Sequence, residues 1–319
     1  LKGLKFIIDF SSNNLDVDLK SIKKAARKGV EQELIKRTEI IIKEKRLSIT
    51  LGDKITWKDN PIAKISRGEN YLSPGIEIIA DEALPSENKR ELEKFIKSWI
   101  SSHVNEILGD LMNLVNIKIE NQYLRALAFR LYENNGVLKR KNIDEVVKLI
   151  SKEEIKKLWN MGIKIGRYHV FLPKVLKPRA VTLRTMLWKI HNNISSDIDI
   201  PKFGLNFVIN DNFNENFLLL CGFERFKDYF VRIDILEKLF INIIEKSVNR
   251  KFKIMPEMMN LLGCSKENFY KLIELMNYRK SKETDFYYFA GDNKKNSQKI
   301  IKKKDKTSPF SKLLALNIK

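Results

Sequence analysis

"MPEMMNLLGCSKENFYKLIELMNYRK", residues 255–280, has the outline of a helix-turn-helix. Pro256 opens a short helix, where its missing N–H costs nothing. Gly263-Cys264-Ser265 reads as a turn, and an amphipathic helix follows. Phe269, Leu272, Ile273 and Met276 keep the helical spacing of one buried stripe. Upstream, Asp234 and Glu237 read as a capping box that starts a helix with Leu236, Leu239, Phe240 and Ile243 inward. Downstream, "NYRKSKETDFYYFAG" reads as two strands around a polar tip. Helices 234–247, 256–262 and 265–276 followed by a ribbon make the element order of a winged helix. A helical hairpin with a trailing β-ribbon is the alternative.

A helix that reads DNA must aim donors at base edges and phosphates. Outside its stripe this one presents Lys266, Glu267, Asn268, Tyr270, Lys271 and Glu274, with zero net charge. The two glutamates repel phosphate. The helix is therefore expected to be a packing module, with nucleic-acid contact left to Arg279, Lys280 and Lys282 on the neighbouring wing.

Working outward, residues 1–46 read as a helical segment, with the helix expected over 18–46. "LSITLGDKITWKDNPIAKISRG" (47–68) alternates β-branched residues around a Gly52-Asp53 turn and an Asp59-Asn60-Pro61 turn, so 47–84 reads as a small β meander. Residues 85–162 read as a helical bundle. Its first helix carries Leu92, Phe95, Ile96, Trp99, Ile100, Val104, Ile107 and Leu108 on one face. A second ends at Asn135-Gly136, and a third runs from a Ser151/Glu154 capping box to Gly162. Residues 163–233 are a basic mixed α/β region, with a helix after Pro178 and a β-rich, loopy stretch over 202–233. Residues 234–292 are the winged-helix-like module. The fold class expected is mainly α with small β elements, α+β.

The chain has 60 Lys and Arg against 40 Asp and Glu, a formal charge of +20. That excess points to a polyanionic partner. Composition bias can add lysines, but it does not remove acids, and between Glu154 and Asp197 there are none. That window combines Lys156, Lys157, Lys164, Arg167, Lys174, Lys177, Arg179, Arg184 and Lys189 with Tyr168, Phe171 and Trp188. Cations for phosphates and rings for bases are the mixture that holds single strands. Phe171 and one face of Trp188 can equally be core. The candidate nucleic-acid contacts are Arg167, Lys174, Lys177, Arg179, Arg184, Trp188, Arg279, Lys280 and Lys282.

Catalytic signatures are absent from the sequence: it has no GxxxxGK[ST] loop, no HExxH, no CxxC pair and no Gly-x-Ser-x-Gly elbow. Three scattered histidines do not suggest a metal site. Cys221 and Cys264 suit a reducing, cytoplasmic setting. No run is apolar enough for a membrane helix, so no membrane partner is expected. The chain opens on Leu1 rather than Met, which points to a longer polypeptide. In the C-terminal tail, 293–319, "KKNSQKIIKKKDK" (294–306) has seven lysines against one aspartate and reads as a solvated linker. Beyond it, Phe310, Leu313 and Leu314 have the spacing of a short helical docking segment.

At "MGIKIGRYHVFLPKVLKPRAVTLRTMLWKI" and "MNLLGCSKENFYKLIELMNYR" the sequence resembles a known family. It is similar to the region that follows the two RecA-like motor domains in bacterial relatives of the mitochondrial-degradosome RNA helicase, a DExH-type superfamily 2 helicase. "GDKITWKDNPIAKISRGENYLSPGIEI" and "SPFSKLLALNIK" also look similar, so the resemblance spans nearly the whole chain in order. It implies an accessory region that packs on the motor of the same polypeptide and helps enclose single-stranded RNA or DNA. An exoribonuclease is a further possible partner. ATP and Mg would belong to the motor, with no cofactor in this chain, and no catalytic residue carries over. The expected function is that of an ATP-dependent helicase's C-terminal region. The rivals are a scaffold for a protein such as a nuclease, and a duplex-DNA-binding winged-helix regulator.

Overall fold

The computed structural model describes residues 2–5, 19–50, 52–116, 121–194, 199–209, 214–282 and 284–290. The fold is mixed α+β, with the described strands in small antiparallel sheets. The chain divides into two compact units, Leu1–Ile241 with Leu261–Gly263, and Asn242–Asn260 with Cys264–Lys319. Phe310, Leu313, Leu314 and the Lys-rich tail lie outside the described residues.

In the first unit, α1 (Leu19–Glu44) leads into a four-stranded sheet of β1 (Ser48–Ile49), β2 (Lys54–Trp57), β3 (Asn60–Asn70) and β4 (Ser73–Ile78), in sequence order. The hairpin turn falls one residue earlier than the Asp59-Asn60-Pro61 expectation. Lys58 (φ 47°) and Asp59 (φ 63°) are both left-handed, as a two-residue turn between twisted strands requires. Pro61 instead lies within β3, opposite Thr56, where the register shifts. A proline is tolerated there because the bulge leaves a ladder position unpaired.

Helix α2 (Ser86–Asn116) buries Leu92, Ile96, Ile100, Val104, Leu108, Leu111 and Leu114. Each such side chain contributes roughly 1.5–3 kcal/mol on leaving water, which is what holds this long helix to the core. The helix kinks at Leu108 (φ −115°, ψ 15°), just before Gly109. Asn121 caps α3 (Gln122–Glu133) by accepting from Tyr123 N and Leu124 N.

The expected all-helical run over 85–162 is interrupted. After Asn135 and Gly136, both left-handed, the chain forms β5 (Val137–Lys139), then α4 (Asp144–Lys148). Ser151 and Glu154 form the full capping box of α5 (Lys152–Asn160). Strands β6 (Lys164–Ile165) and β7 (His169–Phe171) then close a sheet of order β5-β7-β6. Thus the basic region and the bundle share a sheet. Helix α6 (Pro178–His191) packs against α2 and β3. The stretch expected to be β-rich holds β8 (Phe207–Ile209), α7 (Glu215–Leu220), β9 (Phe223–Phe226) and β10 (Tyr229–Arg232), and the strands pair in the order β8-β10-β9. Helix α8 (Ile233–Glu245) follows.

The second unit is built on β11 (Lys251–Lys253), α9 (Pro256–Leu262), α10 (Lys266–Leu275), β12 (Tyr278–Lys280) and β13 (Phe286–Phe289). Helices α8 and α9 both cross the division between the units. The sheet order is β11-β13-β12, so the last strand inserts between the other two. With α8 before β11, these elements follow the order of a winged helix. Phe252, Phe269, Leu272, Ile273, Tyr278 and Tyr287 are buried. Ser265 caps α10 by accepting from Asn268 N.

Candidate nucleic-acid interface

Folding brings carboxylates to the window that lacks them in sequence. Lys174 lies 3.0 Å from Asp110, and Arg179 lies 3.4 Å from Glu106, both acids of α2. Both cations are exposed, and ion pairs of this kind are weakly held in water. Arg167 is exposed, with its guanidinium carbon 5.8 Å from the Phe240 ring centroid.

The heart of the window is a buried ion cluster. Glu237 of α8 accepts from the backbone N–H groups of Arg167 (2.6 Å), Tyr168 (2.8 Å) and His169 (2.9 Å). Successive N–H groups of this kind form an anion nest, and here the protein's own carboxylate fills it. The capping box expected at Asp234 and Glu237 is therefore corrected: the nest takes the Glu237 carboxylate away from its own helix. Asp234 instead receives a bidentate bond from Arg232 at 2.7 and 2.6 Å.

His169 is fully buried, with Nε2 at 2.9 Å from Glu224 and Nδ1 at 3.6 Å from Glu237. Burial opposes its charge, but the two carboxylates overcome that penalty and raise its pKa. Glu224 is likewise opposed by burial and is held below its ordinary value by His169 and Lys139. Lys139 Nζ bridges Glu224 and Glu215, each at 2.9 Å. Two cations and three carboxylates thus form a joint between β5, β7, β9, α7 and α8. Among the described residues no group of three or more His, Cys, Asp or Glu is placed to hold a metal ion.

Arg184 is a correction. It is buried at the centre of α6, and its guanidinium donates to the backbone carbonyls of Asn135 and Leu220. Leu220 is the last residue of α7, and Asn135 lies two residues past α3, so one cation ties together the chain at the ends of two helices. Burial pushes the Arg184 pKa down to about 10, so it stays charged at neutral pH. It cannot reach a phosphate. Trp188 is half-buried and packs on Phe217, ring centroids 6.1 Å apart, so one face belongs to the core. Phe171 is buried outright.

Lys177, just before α6, remains exposed and lines a cleft of about 280 Å³. Lys202, Phe203, Leu205, Pro178 and Arg232 line it too. Arg232 is committed to Asp234. The cleft's exposed side chains include Lys177, Lys202, Leu205 and Phe203, the last 54% exposed. Gly204 is left-handed at φ 95°, and Asn206 donates to the Leu261 carbonyl at 3.0 Å, which ties the loop down. Lys202 and Phe203 were not singled out from sequence. Their signal is a cation and an aromatic bracketed by Pro201 and Gly204, legible only once Lys177 is known to face them.

In the second unit Arg279, Lys280 and Lys282 are all exposed, and Lys280 pairs with Asp285 at 2.9 Å. On α10, Lys266, Glu267, Lys271 and Glu274 are exposed, while Asn268 and Tyr270 are half-buried. No family model, no curated protein and no solved structure matches this chain. Among the described residues, no helix is long and apolar enough to cross a membrane.

Proposed function

We propose that this chain binds single-stranded RNA or DNA, mainly through phosphate contacts, as the accessory region behind the motor of an ATP-dependent helicase. The observation that carries the binding is the cleft at the start of α6, which Lys177 and Lys202 line together with the exposed Phe203. Phosphates fit the ammonium groups, and a base fits the ring face. The helicase context rests on the sequence resemblance. The charge-neutral surface of α10, where Glu267 and Glu274 offset Lys266 and Lys271, argues against the duplex-reading alternative.

Titrating the chain with labelled single-stranded and duplex oligonucleotides across a salt series tests this directly. Each lost phosphate contact removes about 0.7 from the slope of log affinity against log salt for a single strand. Replacing both Lys177 and Lys202 with Ala should therefore flatten that slope by about 1.4. Phe203→Ala should cost on the order of 1–3 kcal/mol with the slope unchanged. Equal or better binding to duplex, or no binding at low salt, sinks the proposal. The helicase context predicts GxxxxGK[ST] and DExH motifs upstream of Leu1 in the coding sequence.

A further inference from the structure

The three-stranded sheet of the second unit has one covered face and one open face. Phe252, Tyr278 and Tyr287 fill the covered side, with Phe252 5.3 Å from Tyr278 and Tyr287 6.0 Å from Tyr270 of α10. Strand alternation sends their neighbours the other way. On that side Lys251, Tyr288 and Arg279 form one cross-strand row, and Lys253 and Phe286 form the next. Tyr288 is 41% exposed and Phe286 40% exposed, and all three cations are exposed.

Isolated surface aromatics are ordinary, but this row is not a scatter. The central strand supplies both rings, and cations on the outer strands flank Tyr288 from both sides at cross-strand neighbour distance. Among the described residues no carboxylate stands in either row. Asp285, the acid closest in sequence, shares the alternation of Tyr287 and is bound to Lys280 on the covered side. An apolar partner would have to desolvate three exposed cations, whereas a polyanion with flat, stackable groups satisfies both features.

We infer that the open face of this sheet is a stacking surface for single-stranded nucleic acid. Bases lie on Tyr288 and Phe286, while phosphates are held by Lys251, Arg279 and Lys253. Side chains two apart on one strand stand about 7 Å from each other, room for two splayed bases rather than a continuous helical stack. This contact rests on the reading that the chain binds single strands, and it adds a second site in a separate unit.

The test uses the whole chain and three strands: oligo(dT), oligo(U) and an abasic oligonucleotide that keeps the phosphates. Tyr288→Thr retains a β-forming residue but removes the ring, and Tyr288→Phe restores the ring without the hydroxyl. Tyr288→Thr is expected to weaken oligo(dT) and oligo(U) binding by about 5- to 150-fold and leave abasic binding unchanged. Tyr288→Phe is expected to match the original chain. Replacing Lys251 and Arg279 with Ala is expected to lower the salt slope by about 1.4 for all three strands. Unchanged affinity in Tyr288→Thr, with Lys177 and Lys202 still required for binding, overturns the stacking surface alone. Failure of the unsubstituted chain to bind any strand overturns the proposed function and this site with it.

Discussion

Gly166 and Glu237 share one space: a Cβ at position 166 would lie 2.2 Å from Cδ of Glu237. The carboxylate occupies that space because three consecutive backbone N–H groups point into it. Even a methyl group would have to evict the acid from its nest.

Gly166→Ala is accordingly expected to lower the unfolding free energy by about 2–4 kcal/mol, the scale of losing hydrogen bonds to a charged acceptor. Glu237→Ala should cost a similar amount. The double variant should cost hardly more than either alone, since both changes empty the same nest. Urea denaturation of the four proteins checks this; additive losses would mean that the two residues are not coupled.

Removing the Arg184 guanidinium separates a core role from a binding role. Arg184→Met should destabilise the chain by about 2–4 kcal/mol, because two buried carbonyls lose their donor. Arg184→Lys should also destabilise, since one ammonium does not reproduce the planar fork that spans both. Neither variant should change the salt slope of nucleic-acid binding while folded. A flattened slope would return Arg184 to the interface.

The stability contributed by His169 has a defined pH window. Its folded pKa is raised above the ordinary 6.5, so its contribution is complete below 6.5 and is lost as pH rises through the folded value. Glu224 has the opposite sign: its lowered pKa gives stability present above the ordinary 4.5 and lost as pH falls through the folded value. The difference in melting temperature between the original chain and His169→Gln should thus be largest near pH 6 and shrink toward alkaline pH. A difference independent of pH would show that His169 is neutral in the fold.

Exchanging Lys266 and Lys271 of α10 for Ala should leave affinity and salt slope unaltered. Glu267 and Glu274 share that exposed surface and already balance their charge. A loss near one unit of slope per lysine in the same titration would show phosphate contacts there and revive the duplex-reading alternative.

Periodicity made the long elements legible: α2 with its stripe from Leu92 to Leu108, α5 with its capping box, and α10 with Phe269 and Leu272 inward. Short elements were not. Helix α7 has six residues, too few to display a period, and β5 is three residues whose pairing with β7 depends on a distant segment. The candidate site was legible in part. Lys177 was marked by its acid-free surroundings, but a run without acids says nothing about acids arriving from α2, β9 or α8. Arg184 illustrates the limit most clearly, since its helical spacing with Trp188 placed both on one flank. Which flank is buried depends on the chain at the ends of α3 and α7, whose carbonyls the sequence does not place. Lys202 and Phe203 had only a faint local signal, a cation and a ring between Pro201 and Gly204, which means nothing without Lys177 in the same cleft.

The two buried cations of the first unit differ in one respect that bears on how the molecule comes apart. His169 is balanced by carboxylates, which acid can neutralise; Arg184 is balanced by peptide carbonyls, which carry no titratable proton. Falling pH therefore dissolves the joint linking β7 to β9 and α8 while leaving the clamp of α3 and α7 on α6 intact. Acid unfolding should be ordered in space, with the ion cluster opening first and the α3–α6–α7 contacts persisting in the partly opened chain.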